Sequence, residues 1–358
     1  MRTQSLATSL ILVAAGLLVP AVADASTPIA ATCGAVLTTD AYLNRDLSCP
    51  GQRGVSVSGN ITIDLRNHVL RGSKDIGIAI LDGYSAQVRN GTVRGWGIGI
   101  GIVDAGDQPG SASARVKNVT FDSDGGGVSL GTFDTVVVEN SRFLNNGTAI
   151  SGSMSDATVS YSAFVGNQNA VYFDDASLIM SKSVVHRNGT GIACSWAHCE
   201  LRDNAITKNG TGVRESGTGS LTMSRNAASR NDIGVDASGP CGVNLSHNAF
   251  VRNMTGVTLS YRAVGSVYRN AFTGNDVGLT SSNTNDGTSF MKAEKNVALF
   301  NRDGFYITGT GDQLGGNTAK WNSGWGIYAP NSVDLGGNKA SANGSNPQCV
   351  GVICSQIR

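Results

Sequence analysis

Side chains able to hold and process a polar polymer crowd the stretch between positions 172 and 262. Tyr172, Asp174, Asp175, Trp196, His198, Arg214, Glu215, Asp236, Tyr261 and Arg262 mix aromatic faces, carboxylates, an imidazole and guanidinium groups. Only 6% of the chain is aromatic and 15% charged, so this is a local concentration rather than the background. Aromatic rings stack on sugar faces, and a pair of carboxylates can hydrolyse a glycosidic bond. A base beside a cation can instead take the proton next to a uronate carboxylate while the cation holds the developing charge. On this reading Asp174, Asp175 and Asp236 are the acid/base candidates, with His198 a further one. Tyr172, Trp196, Arg214, Tyr261 and Arg262 would contact the substrate. The plainer reading of Arg214 and Asp236 is an exposed ion pair worth under about 1 kcal/mol. Glu215 falls at a register that faces inward, with no evident partner.

Seven cysteines form a second set. Spacing pairs Cys33 with Cys49 near the start, Cys349 with Cys354 near the end, and Cys194 with Cys199 in the middle, leaving Cys241 odd. A metal site made of Cys194, His198, Cys199 and Cys241 is the sharper alternative. The repeat described below puts Cys241 two units away, ~9.6 Å of rise, which argues against it. No metal or other cofactor is expected. Asp122-Ser123-Asp124-Gly125 opens like a calcium loop but lacks the closing glutamate, so it reads as a turn. The Gly-x-Gly phrases have no strand–helix context and do not mark nucleotide sites.

The elements that must position these residues come from a repeat. Asparagine recurs at Asn146, Asn167, Asn188, Asn209, Asn231, Asn253, Asn275, Asn301, Asn322 and Asn343, mostly 21 or 22 residues apart. Many open the phrase Asn-x-x-Gly-aliphatic, as in Asn209-Gly210-Thr211-Gly212-Val213. A second series leads by five residues: Asn204, Asn226, Asn248, Asn270, Asn296, Asn317 and Asn338, with an upstream continuation at Asn140, Asn118, Asn90 and Asn67. Apolar residues alternate over strand-length runs, and none reaches helical length and period. Three short strands and tight turns per unit predict an all-β, single-stranded, right-handed parallel β-helix solenoid of about thirteen coils. The residue four past each asparagine should point inward and stack, from Ile150 to Phe305. The preceding glycine should adopt a turn conformation closed to other residues, and the asparagines should form corner ladders.

Ile61-Thr62-Ile63-Asp64-Leu65-Arg66-Asn67-His68, Val88-Arg89-Asn90-Gly91-Thr92-Val93-Arg94-Gly95 and the Asn-Gly-Thr-Gly-Ile phrases resemble right-handed parallel β-helix repeats of the pectate-lyase-like superfamily. That superfamily includes carbohydrate-binding and sugar-hydrolase modules and periplasmic NosD-type repeats. The resemblance implies the fold over nearly the whole chain and, by analogy alone, a polysaccharide partner.

Residues 1–25 read as a signal peptide: Arg2, an apolar run from Leu10 to Val19, then Ala23-Asp24-Ala25 before the cleavage point. One β-helix domain with disulfide-pinned ends is expected over 26–358. The protein is expected to be secreted or periplasmic, monomeric and not inserted in a membrane. A formal net charge of +1 gives no footprint for nucleic acid. Two longer coils, at 104–111 and 281–288, leave the rod at one corner about seven coils apart, ~34 Å. The face between them is the expected site for an extracellular polysaccharide, with a polysaccharide lyase or glycoside hydrolase as one outcome. Non-catalytic glycan binding and a structural surface role are the others.

Overall fold

The computed structural model describes residues 27–103, 111–282 and 290–356. The proposed signal peptide and most of both long loops lie outside the described residues. Every strand pairing is parallel, and each coil adds its strands to the same growing faces. The first face is a fifteen-stranded sheet whose members include Asn169–Asp174, Thr190–Ser195, Thr211–Ser216, Ile233–Ser238 and Thr255–Ser260. Fifteen strands at ~4.8 Å make a stack of ~67 Å, slightly longer than thirteen coils would give. The second face carries five-residue strands such as His198–Arg202 and Ser220–Ser224. The third carries three-residue strands such as Ala205–Thr207 and Ala227–Ser229. Ser85–Arg94 and Ser113–Asp122 run unbroken from second face to third, which joins both into one 28-stranded sheet. Among the described residues no helix is long and apolar enough to cross a membrane.

The core is built of columns rather than layers. Ile150, Val171, Ile192, Val213, Val235, Val257, Leu279 and Phe305 stack in register and are fully buried. Phe121, Phe143 and Phe164 stack face to face with centroids 4.8 Å apart. The glycines before the aliphatic column act differently from expectation. None of Gly191, Gly212, Gly234 and Gly256 has a positive φ. A Cβ on Gly212 would instead lie 2.6 Å from the Gly234 carbonyl oxygen, and one on Gly256 2.3 Å from that of Gly278. Close approach of successive coils, not backbone conformation, selects glycine there.

The left-handed residues are one place before the asparagines: Arg187, Lys208, Arg230 and Arg252 have φ of 55°, 57°, 55° and 55°. This turn aims each following asparagine inward, where the ladder forms. Asn209 donates from its backbone N–H (2.9 Å) and from Nδ2 (3.0 Å) to Oδ1 of Asn231, and also from Nδ2 to the Val185 carbonyl (3.2 Å). The pattern runs from Asn146 to Asn343, where Gln348 Oε1 closes it. The second series makes its own ladder, but its upstream rungs are Ser183, Ser162 and Ser141. Asn140, Asn118, Asn90 and Asn67 stand outside this interior ladder and hold left-handed corner positions, with φ between 48° and 64°; there Asn118 Nδ2 donates to Asn90 Oδ1 at 3.2 Å. A one-residue offset moved them from the interior column to the outer turn.

Asp124 holds the rung above Asn146: it accepts the Trp96 N–H at 2.7 Å and donates its own to Asn146 Oδ1 at 2.9 Å. This carboxylate of the Asp122–Gly125 turn is therefore a buried ladder member, pushed up to about 8 by desolvation.

Candidate functional site

Strand alternation on the first face sends one column outward: Ser151, Tyr172, Ala193, Arg214, Asp236, Thr258, Thr280, Tyr306 and Tyr328. The next corner carries another column, Met154, Asp175, Trp196, Gly217, Gly239 and Tyr261, all with positive φ. Left-handed backbone turns the Met154, Asp175, Trp196 and Tyr261 side chains away from the rod. Trp196 lies flat against the following coil because Gly217 leaves room; a Cβ there would come 2.9 Å from the indole. The ring still exposes 57% of its surface, and Tyr261 exposes 74%.

Asp175, Trp196 and His198 come together in an open cleft of about 450 Å³ at this corner. Phe133, Met154 and Asp156 complete its walls. His198 Nδ1 sits 2.8 Å from Ser220 Oγ, which orients the ring along the second face. His198 also lines a smaller adjoining depression with Ile179, Glu200 and Thr222, so the two form a continuous surface.

The rest of the expected set is dispersed. Asp174 pairs in register with Ser195, then Ser216, then Ser238, so Asp236 lies three coils away. That is ~14 Å of rise, beyond the ~5–9.5 Å that separates the two carboxyls of a glycosidase. Asp236 therefore forms no hydrolytic pair with Asp174 or Asp175. Arg214 Nε meets Asp236 Oδ2 at 3.5 Å, both partly exposed, the surface ion pair of the plainer reading. Tyr172 is on the same outward column two coils before Arg214. Tyr261 and the adjacent Arg262 lie three coils beyond Trp196, past two glycines.

Sequence reasoning missed an aromatic platform near the C-terminal end. Tyr306 and Tyr328 stack at 5.0 Å, Trp325 leans on Tyr328 at 5.1 Å, and Arg302 and Asp303 flank a cleft of about 510 Å³. Tyr306 stands five residues past Asn301, the same offset as Tyr172, Arg214 and Asp236 from their asparagines, so the column was extendable by counting. Tyr328 is six past Asn322, and this extra residue hides it.

The interior beneath the corner holds a separate anomaly. Glu215 is fully buried, neither carboxylate oxygen has a hydrogen-bond partner, and burial pushes it up to about 8. The three expected disulfides are present and Cys241 is the free, buried cysteine. Burial, helped by the neighbouring Glu215, pushes the Cys241 thiol up to about 12.

Stacked parallel coils with sheltered ladders and open exterior clefts define a solenoid whose outer positions are free to carry function. Residues 148–292 match the family model described as right handed beta helix region. The same coil geometry extends across the described residues on either side, so the fold is a right-handed parallel β-helix. No curated protein sequence matches it. Among solved structures it is similar to a double mutant of the periplasmic alginate epimerase AlgG, at 10% identity and TM-score 0.51 over 91% of this chain and 79% of that one. It is also similar to the catalytic domain of a GH87 alpha-1,3-glucanase in complex with nigerose (11%, TM-score 0.36, 87% and 64%). The A-module of Azotobacter vinelandii mannuronan C-5 epimerase AlgE6 follows at 15%, TM-score 0.35, 87% and 92%. At 10% identity the likeness to the first of these is one of fold alone.

Proposed function

We propose that this protein is exported and binds an extracytoplasmic polysaccharide along the corner that carries Asp175, Trp196 and His198. The observation that carries the reading is Trp196: a large ring held flat by Gly217 and exposed at the rim of a cleft that Asp156, Asp175 and His198 also line. Such a ring presents a face to a sugar at little conformational cost. Phe133 on one side and Tyr261 on the other extend apolar surface along the rod, the direction a polymer would follow. Three disulfides and the apolar leader support export. The separation of Asp174 from Asp236 removes that one pair as a hydrolytic couple. The catalytic alternative rests on Asp156, Asp175 and His198, which share the cleft.

A panel of neutral and uronate polysaccharides tests this. Wild-type protein should be retained by at least one, and Trp196→Ala should lower retention at least tenfold, without change in circular dichroism. Product followed by absorbance at 235 nm or by new reducing ends, and lost in Asp175→Asn, would replace binding with catalysis. No retention on any polymer would sink both.

A further inference from the structure

We propose that Cys194, Cys199 and Glu215 form an interior site for a thiophilic divalent ion of the zinc class, filled when the two cysteines are thiols. Their ligand atoms, two Sγ and a carboxylate oxygen, lie within 4.8 Å of one another, and all three residues are buried. Cys194 and Glu215 are register partners on successive strands of the first face. Cys199 reaches in from the second face across the corner, with a Cα–Cα distance to Cys194 of 6.6 Å. Tetrahedral zinc–thiolate bonds of ~2.3 Å put two sulfurs ~3.8 Å apart. Two cysteines on either side of one tight corner can span that.

Glu215 is the independent pointer. Its column neighbours are Cys194 before and Ala237 after, positions built for apolar packing. Its two oxygens are unsatisfied, and an unpaired buried carboxyl is costly. Gly219 leaves it room, since a Cβ there would lie 2.5 Å from Oε1. With the disulfide closed, the sulfurs carry no protons to donate and no thiolate charge to share an ion. Reduction by a dithiol changes this: two electrons and two protons enter, the S–S bond breaks, and two thiols form while the dithiol becomes a disulfide. An ion then displaces both thiol protons and the Glu215 proton to solvent, leaving two thiolates and a carboxylate around one dication, with water as fourth ligand. Cys199 also lines the depression beside His198, so the site is one side chain below the surface.

The full chain, reduced with a phosphine under argon and freed of it, is titrated with Co²⁺ while the thiolate-to-cobalt charge-transfer band is read. The Cys194→Ser/Cys199→Ser double variant, treated identically, subtracts ions held by the terminal cysteine pairs. The wild type should bind one equivalent more than the double variant, the oxidised protein should not bind it, and Glu215→Gln should weaken it at least tenfold. An absent extra equivalent, equal affinity in Glu215→Gln, or equal binding by oxidised protein overturns the proposal. So does a reduced chain that loses its β-sheet circular dichroism and does not recover it with the ion.

Discussion

Asp124→Asn should stabilise this protein, by an amount that depends on pH. From Asn146 to Asn322 each rung's Nδ2 donates to the next Oδ1, as from Asn146 to Asn167 at 2.9 Å. Asp124 uses Oδ1 to accept from Trp96, so Oδ2 stands where an asparagine carries Nδ2, and it has no partner. Ionised, that oxygen would confront the acceptor Asn146 Oδ1; protonated, it can donate. Burial accordingly raises the group from 3.8 to about 8. Between those values the unfolded chain has released a proton that the folded chain retains, so stability falls as pH rises. At 1.36 kcal/mol per unit, the loss from Asp124 by pH 7 is at most about 4 kcal/mol. Asparagine restores the donor and removes the titration.

Urea unfolding of wild type and Asp124→Asn at half-unit steps from pH 4 to pH 8 isolates this effect. Glu215 and Asp312 are also raised by burial, but they contribute equally to both proteins and cancel in the difference. The variant's advantage should be near zero at pH 4 and should grow to pH 8. A pH-independent difference, or a variant less stable at pH 7, would refute the reasoning.

Asn231→Ala should destabilise the fold by about 2–4 kcal/mol in the same assay. It strips the acceptor from both Asn209 donors and the donor from the Ile206 carbonyl, all buried. Denatured, unreduced protein should show one reactive thiol, on Cys241, and peptide mapping should recover the Cys33–Cys49, Cys194–Cys199 and Cys349–Cys354 links. A peptide joining Cys241 to Cys194 or Cys199 would contradict the observed pairing.

The fold was legible because the repeat imposes the same physical demand in every coil. An interior asparagine that satisfies its neighbour's backbone must recur at each turn, so Asn146 to Asn343 kept their period through a 26-residue coil. What the residue type did not reveal was the reason for it. Glycine at 212 or 256 looked like a turn residue, yet the constraint comes from the carbonyl of the next coil, a neighbour some twenty residues away in sequence. Asn140 looked like a rung, yet Ser141 is the one, because a hydroxyl can accept the same N–H as an amide oxygen. Identity alone misled by one position where two chemistries fill one role.

The site was legible only in part, and for the converse reason. Outer positions answer to no repeat demand, so each coil contributes a side chain without reference to the next. Sequence shows that Asp174, Asp175, Trp196, His198 and Asp236 face outward, but distance along a solenoid is counted in coils. Counting them separates Asp236 from the two aspartates while joining His198 to Asp175 across one strand spacing. Phe133, Met154 and Asp156 were invisible for the same reason: they come from earlier coils and share no phrase with Trp196. Glu215 is the informative exception, since the register alone placed this carboxylate in an apolar column. A residue that violates the demand of its column, where every neighbour obeys it, marks a place where packing has been given up. In this chain that place lies against the one disulfide that is not at an end of the rod.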